Sequence, residues 1–198
     1  MLLEVNHELG ISRFSLRQWD SYSKELLSQL EHAPQAIRAR LPEDNLPDNV
    51  TWQNLNYNIF TVLGSSRFAW LLWQDLEECV RDHFAMHEVQ RDCVWLRSWL
   101  NHHNHSQRLR SHCHDWPIHG YVSIEPQNSR TVFSREENSE PIYTVHNTPG
   151  TVYIGPGHRW HSVEYDSEFP GTRITLGFDI ETRDRIVHDD WSLFPLAI

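Results

Sequence analysis

The first third of the chain shows apolar positions at helical spacing. Asp20 is a candidate N-cap for this helix, and three leucines follow it on one face. They are Leu26, Leu27 and Leu30. Residues 41–49, with two prolines and several turn-forming residues, end the pattern. The sequence therefore predicts an amphipathic helix followed by an irregular segment.

A second helix is predicted from a serine cap, Ser65 or Ser66, to about Met86. Its apolar residues recur at helical spacing: Phe68, Leu71, Leu72, Leu76, Val80 and Phe84. One face of this helix is therefore expected to be buried.

From Asp92 onward the spacing of the apolar residues changes to every second position, which is typical of strands. The predicted strands are 93–100, 119–125, 130–133, 141–145, 150–155, 161–165 and 172–180. Several short strands at close spacing indicate an antiparallel sandwich or barrel. We expect residues 1–90 to form a helical and irregular extension that packs on a barrel of residues 91–198.

Charge and cysteine content narrow the classes of function. The 198 residues carry a formal net charge of −10, and no cluster of Lys and Arg occurs, which argues against nucleic acid as a partner. No apolar run reaches the roughly 18 residues of a membrane span, and Glu4 and His7 interrupt any signal-peptide core. Three cysteines without a CxxC pair favour a reducing compartment, so we expect a cytoplasmic protein without a membrane partner.

The chemistry concentrates in two histidine-containing stretches. His112 and His114 precede an alternating apolar run, and in an extended segment residues two apart point to the same face. His161, at the start of a later strand, could supply a third imidazole. Three facial ligands leave open positions for a substrate, as iron or another divalent metal requires. We therefore predict a metal centre at these three residues.

The later stretch, GTVYIGPGHRWH, resembles the second motif of the cupin family. Gly150, Pro156 and His161 match that motif, while His158 occupies the place of its second glycine. His158 is therefore a candidate for a group beside the distal ligand.

The earlier stretch resembles the start of the first cupin motif. His112 and His114 match its HxH pair, and His119 falls near its glutamate position. This resemblance implies a double-stranded β-helix, or jelly-roll, barrel, so that the expected fold is mainly β with N-terminal helices. It leaves His119 as a possible partner of a ligand.

A second resemblance is to the 2-oxoglutarate and Fe(II)-dependent oxygenases. In that superfamily an HxD pair and a distal histidine are followed by Arg-x-Ser or Arg-x-Thr, whose arginine holds the far carboxylate of the cosubstrate. Arg173 and Thr175 match this pattern on the strand after His161. The planar guanidinium of Arg173 suits bidentate binding of a carboxylate.

The order of motifs also resembles small stand-alone proteins of this superfamily from phage and marine bacteria. Trp99 and Asn101 form a W-x-N segment, and Gly120 and Tyr121 begin the strand after the HxH pair. The resemblance implies that Asn101 and Tyr121 contact the cosubstrate.

One position departs from the superfamily pattern, because His114 stands where the carboxylate ligand is usual. Either three neutral imidazoles bind the metal, or a local bulge turns Asp115 inward in place of His114. The loss of a hard carboxylate should weaken iron retention, so the purified protein could carry another divalent metal.

The resemblances together imply an Fe(II) enzyme that uses 2-oxoglutarate and O2 to hydroxylate a small molecule or peptide. Three alternatives stay open. A three-histidine cupin dioxygenase, similar to the thiol dioxygenases, would need no 2-oxoglutarate. Three histidines also suit a zinc site for hydrolysis or hydration. A non-catalytic jelly-roll module could bind a sugar or protein with its histidines incidental.

Overall fold

The computed structural model of the chain describes residues 1–39, 57–64, 66–107, 109–182 and 192–198. The described helices are α1 (Trp19–Arg38), α2 (Ile59–Leu63) and α3 (Arg67–Met86). The first five described strands are β1 (Leu2–Asn6), β2 (Ile11–Ser15), β3 (Cys93–His103), β4 (Ile118–Glu125) and β5 (Ser129–Ser134). The following five are β6 (Pro141–His146), β7 (Thr151–Pro156), β8 (Trp160–Tyr165), β9 (Arg173–Glu181) and β10 (Leu193–Ala197).

The strands form two antiparallel sheets. The large sheet has the order β1-β2-β7-β4-β9-β3-β10, and the small sheet has the order β6-β5-β8. The segment before β4 adds a further edge to the small sheet, because the Val163 N–H donates to the Leu109 carbonyl at 3.1 Å. All seven predicted strands are present. The prediction of a mainly β jelly roll with N-terminal helices is confirmed.

The central strands of the large sheet are covered on both faces, which explains why all nine residues of β9 are buried. One face packs on α1 and α3 through an apolar cluster that includes Ile174, Leu176, Phe178 and Ile180 of β9. The alternate residues of β9 point to the barrel interior, where Arg173, Thr175 and Gly177 line a cavity. The helices thus support the sheet from outside and leave its inner face for polar groups.

The helix starts were predicted with mixed success. Ser66 caps α3 as expected, because its Oγ accepts from the backbone N–H groups of Phe68 and Ala69. Asp20 as the cap of α1 is wrong, since the helix begins at Trp19 and Asp20 lies in its first turn. The start of α1 is instead bonded to α3, because the buried carboxylate of Asp75 accepts from the Gln18 N–H at 3.1 Å. The alternative cap Ser65 and the predicted break at 41–49 lie outside the described residues.

Three strands were missed by the sequence patterns. β1 and β2 form a hairpin that joins the large sheet through β7, where the sequence predicted only helical and irregular structure. Each is five residues long, too short to show clear alternation against the adjoining helix. β10 closes the other edge of the large sheet beside β3, and Pro195 within it is typical of an edge strand. The division into an N-terminal extension (residues 1–90) and a barrel (residues 91–198) stays a prediction.

Among the described helices, none combines the length and the apolar composition that a bilayer crossing requires.

His83 of α3 is expected to make the protein less stable in acid. Burial lowers the pKa of its imidazole from 6.5 to about 3, with a further contribution from the neighbouring His87. The unfolded chain therefore binds a proton at a higher pH than the native protein does. Below about pH 6.5 the free energy of unfolding should fall by up to about 1.4 kcal/mol per pH unit until the native imidazole also titrates.

Replacing His83 with glutamine should make this loss shallower, as measured by urea unfolding over a series of acidic pH values. His32→Gln is the control, because His32 lies on the exposed face of α1. An unchanged pH slope in the His83 variant would contradict the assignment.

Candidate metal centre and cavity

Backbone pairing at the edge of the small sheet brings His112 and His161 together. The His112 N–H donates to the His161 carbonyl at 3.0 Å, and the His161 N–H donates to the His112 carbonyl at 2.7 Å. Residues directly opposite each other in an antiparallel pair place their side chains on the same face. The two rings accordingly lie with their centroids 4.2 Å apart.

His114, two positions further along the same segment, lies beside this pair. Its backbone N–H donates to the Gly157 carbonyl at 2.9 Å, which ties the segment to the turn before β8. The His114 ring centroid lies 5.2 Å from that of His112 and 5.3 Å from that of His161. One ligand atom from each of the three residues lies within 4.8 Å of the other two.

Hydrogen bonds at Nδ1 determine which nitrogen of each ring is free. The Nδ1 of His112 donates to the Arg110 carbonyl at 2.8 Å, and that of His161 donates to the Arg159 carbonyl at 3.1 Å. Because a carbonyl only accepts, both rings are protonated at Nδ1 and keep a lone pair on Nε2. Burial lowers the pKa of both imidazoles, so they are neutral near pH 7. Neutral rings with a free nitrogen are suited to bind a metal.

His114 is held in the same way by a carboxylate. Its Nδ1 lies 3.0 Å from Asp179 Oδ1, and its buried Nε2 has no hydrogen-bond partner among the described residues. An orphaned buried nitrogen that faces two other imidazoles fits a metal ligand. Divalent metals of the iron and zinc type bind such nitrogen donors.

A second group of possible ligands consists of His114, His119 and Asp179. The rings of His114 and His119 stack at 3.8 Å with 12° between their planes, and both Nδ1 atoms lie 3.0 Å from Asp179 Oδ1. In two rings stacked in parallel, the nitrogen lone pairs point in parallel directions and do not converge on a single metal position. Asp179 also accepts from Arg97 Nη2 at 2.9 Å. This group is therefore better described as a hydrogen-bond cluster behind His114.

The carboxylate of Asp179 is ionised in this cluster. Burial alone would raise its pKa, but the hydrogen bonds from His114 and His119 outweigh that effect and lower it. Burial also lowers the pKa of His119 to about 4. His119, proposed from the sequence as a partner of a ligand, thus contacts both His114 and the anion behind it.

Two other candidates lie apart from the three imidazoles. Asp115 is exposed at the rim of the cavity and belongs to neither group of possible ligands. The His114 side chain is buried and lies beside the other two imidazoles, so His114 and not Asp115 points inward. His158 is exposed in the turn before β8 and does not line the cavity.

The three histidines open into a cavity of about 420 Å³ between the two sheets. Its lining also includes Arg97, Trp99, Asn101, Tyr121, Thr131, Arg173 and Thr175. Among these are the four residues that the sequence proposed for the cosubstrate: Asn101, Tyr121, Arg173 and Thr175. The cavity therefore brings the predicted cosubstrate residues and the predicted metal ligands to one space.

Arg173 is the most unusual of these residues, because its guanidinium is buried at 2% exposure. Its Nε donates to Ser129 Oγ at 3.2 Å, and its Nη1 has no partner among the described residues. No carboxylate in the described part of the chain forms an ion pair with it. Burial lowers the pKa of Arg173, as expected for a cation held away from water without an anion. A buried, unpaired guanidinium of this kind indicates a site for an anionic ligand.

The remaining predicted residues are held in hydrogen-bonded pairs. Asn101 Nδ2 donates to Thr175 Oγ1 at 3.2 Å, while its buried Oδ1 has no described partner. Because a hydroxyl both donates and accepts, the amide turned by 180° makes the same contact and offers an N–H to the cavity. Tyr121 donates to Asn147 Oδ1 at 2.9 Å, and burial raises the pKa of its phenol to about 12.

Several residues of the site were missed by the sequence reading. Asp179 lies on the same face of β9 as Arg173 and Thr175, and Arg97 lies on the same face of β3 as Trp99 and Asn101, because alternate residues of a strand share a face. This alternation was the signal that could have identified Asp179 and Arg97. Other missed polar residues of the cavity and its walls are Ser129, Thr131 and Asn147.

Comparison with known proteins gives information about the fold. No family model matches the chain, and no curated protein matches it. A prolyl-4-hydroxylase from Pseudomonas putida is similar in structure, with a TM-score of 0.58 and 8% identity over 88% of this chain and 89% of that one. The non-haem α-ketoglutarate-dependent carbocyclase SnoK of nogalamycin biosynthesis has a TM-score of 0.59 and 8% identity over 87% of this chain and 79% of its own.

A third similar structure is a 2OG-Fe(II) oxygenase family oxidoreductase from Burkholderia pseudomallei. Its TM-score is 0.51, with 14% identity over 89% of this chain and 88% of that one. At such low identity these likenesses establish a shared fold. Any shared chemistry has to be argued from the site.

Proposed function

We propose that the chain is a non-haem Fe(II) oxygenase that uses 2-oxoglutarate and O2 to hydroxylate a small molecule or peptide. His112, His114 and His161 would hold the metal through their Nε2 atoms. When bound, the iron would provide coordination sites for the cosubstrate and O2 and the oxidising power for hydroxylation of the substrate C–H bond. The protein supplies placement, charge matching and exclusion of water.

The single observation that carries this proposal is the buried guanidinium of Arg173 in the same cavity as the three histidines. 2-Oxoglutarate has a carboxylate at each end, so it can reach a metal with one end and a cation with the other. The hydroxyl of Ser129 accepts from the Nε of Arg173, which orients the guanidinium and leaves its Nη1 for the ligand. Asn101 and Thr175, which pair two positions further along the sheet, line the same cavity.

Arg173→Ala should weaken 2-oxoglutarate binding by roughly 10- to 100-fold, the usual cost of losing hydrogen bonds to a charged group. The test is anaerobic loading with Fe(II), followed by titration with 2-oxoglutarate while a weak visible charge-transfer band is recorded. The band should form in the wild-type protein and be lost in this variant. Arg173→Lys should give an intermediate affinity, since it keeps the charge but loses the planar fork.

Arg130→Ala is the matched control for the Arg173 variants. Arg130 lies on β5 next to the cavity residue Thr131, but its guanidinium pairs with Glu164 and Asp166 on the outer surface. Its removal should leave the titration unchanged. An equal loss in both variants would contradict a specific role for Arg173.

A three-histidine dioxygenase without 2-oxoglutarate is the second candidate. It is favoured by the imidazole of His114 at the usual carboxylate position, and Arg173 would then bind a carboxylate of the substrate itself. Metal binding without the charge-transfer band, and O2 uptake that does not depend on 2-oxoglutarate, would favour this candidate. Failure of the wild-type protein to bind Fe(II), Co(II) or Zn(II) would favour a non-catalytic jelly-roll module.

A further inference from the structure

Asp179 lies directly behind one of the three proposed ligands. Its carboxylate is completely buried, and its Oδ1 accepts from the Nδ1 of His114 and of His119, each at 3.0 Å. Its Oδ2 accepts from Arg97 Nη2 at 2.9 Å. A buried carboxylate is tolerated only when it is paired and hydrogen-bonded, and Asp179 is both. The fold thus fixes a carboxylate a single hydrogen bond away from one proposed ligand of the metal.

The proposed ligands themselves bring no charge. Three neutral imidazoles leave both positive charges of a divalent ion uncompensated, whereas two histidines and a carboxylate cancel one of them. A carboxylate that accepts the Nδ1 proton of a ligand histidine raises the basicity of that ring and fixes its orientation.

We propose that Asp179 is a positioning residue that supplies, through the Nδ1–H of His114, the negative charge that the ligand set lacks. This inference rests on the proposed metal centre. Arg97 and His119 complete the arrangement, because they satisfy the carboxylate from its other sides. Arg97 is itself held between the rings of Trp116 and Trp99, at 4.6 and 5.8 Å from their centroids.

Asp179→Asn should weaken metal binding by roughly 10- to 100-fold, the range typical of lost outer partners. Asparagine has nearly the same shape and can still accept from one histidine, so the substitution removes mainly the charge. The measurement is the dissociation constant of Co(II), and of Fe(II) under anaerobic conditions, by competition with a chelator. The visible absorption bands of bound Co(II) should also shift, since His114 becomes a weaker donor.

A double variant guards against misfolding. Asp179→Asn alone leaves the buried charge of Arg97 without its partner, which is destabilising, whereas removal of both charges is often tolerated. Arg97→Met combined with Asp179→Asn should therefore fold, as judged by circular dichroism and thermal melting. It should also lose metal affinity, but less than the single variant, in which the unpaired charge of Arg97 additionally repels the metal.

His119→Phe separates the proposal from the other arrangement of ligands. Phenylalanine keeps a ring stacked beside His114 and leaves the bond from His114 to Asp179 in place. If Asp179 acts through His114, the Co(II) affinity should fall less than it does in Asp179→Asn, because the carboxylate that tunes the ligand is retained. If His114, His119 and Asp179 bind the metal directly, this variant should abolish binding, which would overturn the proposal.

The failure of this inference differs from the failure of the proposed function. A wild-type protein that binds no metal overturns both. A wild-type protein that binds Co(II), together with a folded single or double variant of equal affinity and unchanged spectrum, overturns only the role of Asp179.

Discussion

His161→Ala is expected to abolish tight metal binding. The loss should exceed the roughly 100-fold upper range for outer partners, because this substitution removes a ligand atom and not only its support. The backbone bonds between residues 161 and 112 do not involve the side chain, so the edge of the small sheet should persist. Loss of the buried ring should also cost about 2 kcal/mol of stability through the space left among its neighbours.

The experiment compares His161→Ala with His158→Ala by Co(II) titration and thermal melting. His158 lies three positions earlier and is exposed, so its removal should change neither metal affinity nor stability. An equal Co(II) affinity of the His161 variant and the wild-type protein would place the metal elsewhere and remove the basis of the proposed function.

The closeness of the candidate ligands could be predicted in part, because it follows from local geometry. Residues two apart in an extended segment share a face, so the HxH pattern alone places His112 and His114 together. The third histidine needed a long-range pairing, which the cupin resemblance supplied and spacing alone did not. The structure brings the three rings together through the pairing of residue 112 with residue 161.

The polar surroundings of the site could not be predicted with the same ease. The contact between Arg97 and Asp179 spans β3 and β9, and the contact between Ser129 and Arg173 joins the two sheets. Such contacts depend on which strands are neighbours, and a single sequence gives no pairing order. The same reason explains the missed hairpin β1–β2, whose short strands are stabilised by pairing with β7 and not by a strong local pattern.

The glycine that matters in the turn before β8 also differs from the expected one. The cupin motif directed attention to residue 158, where glycine is replaced by histidine, yet the tight contact is at residue 157. A Cβ at Gly157 would lie 1.9 Å from the Trp116 carbonyl oxygen and 3.4 Å from that of His114. The backbone of residues 112–117 thus packs directly against this glycine, so the turn determines where the HxH segment lies.

Gly157→Ala is therefore expected to damage both stability and the metal centre. The obstructing atoms belong to the backbone and cannot rotate away, so either the turn or the segment carrying His114 must shift. We expect a loss of about 3 kcal/mol in the free energy of unfolding, at the upper end of the cost of overpacking. Co(II) affinity should fall by at least about 10-fold, because the bond between the His114 N–H and the Gly157 carbonyl fixes one ligand.

Gly64→Ala separates the two effects in this prediction. Gly64 follows α2 with a φ of +61°, and a Cβ there would meet no atom within 4 Å. Its φ and ψ of +61° and −136° are disfavoured for alanine, so the replacement should cost about 1 to 3 kcal/mol through backbone strain, with no change in Co(II) affinity. If Gly157→Ala weakened Co(II) binding no more than Gly64→Ala does, the turn would act only on stability. The position of His114 would then be set by its bond to Asp179 and not by its backbone.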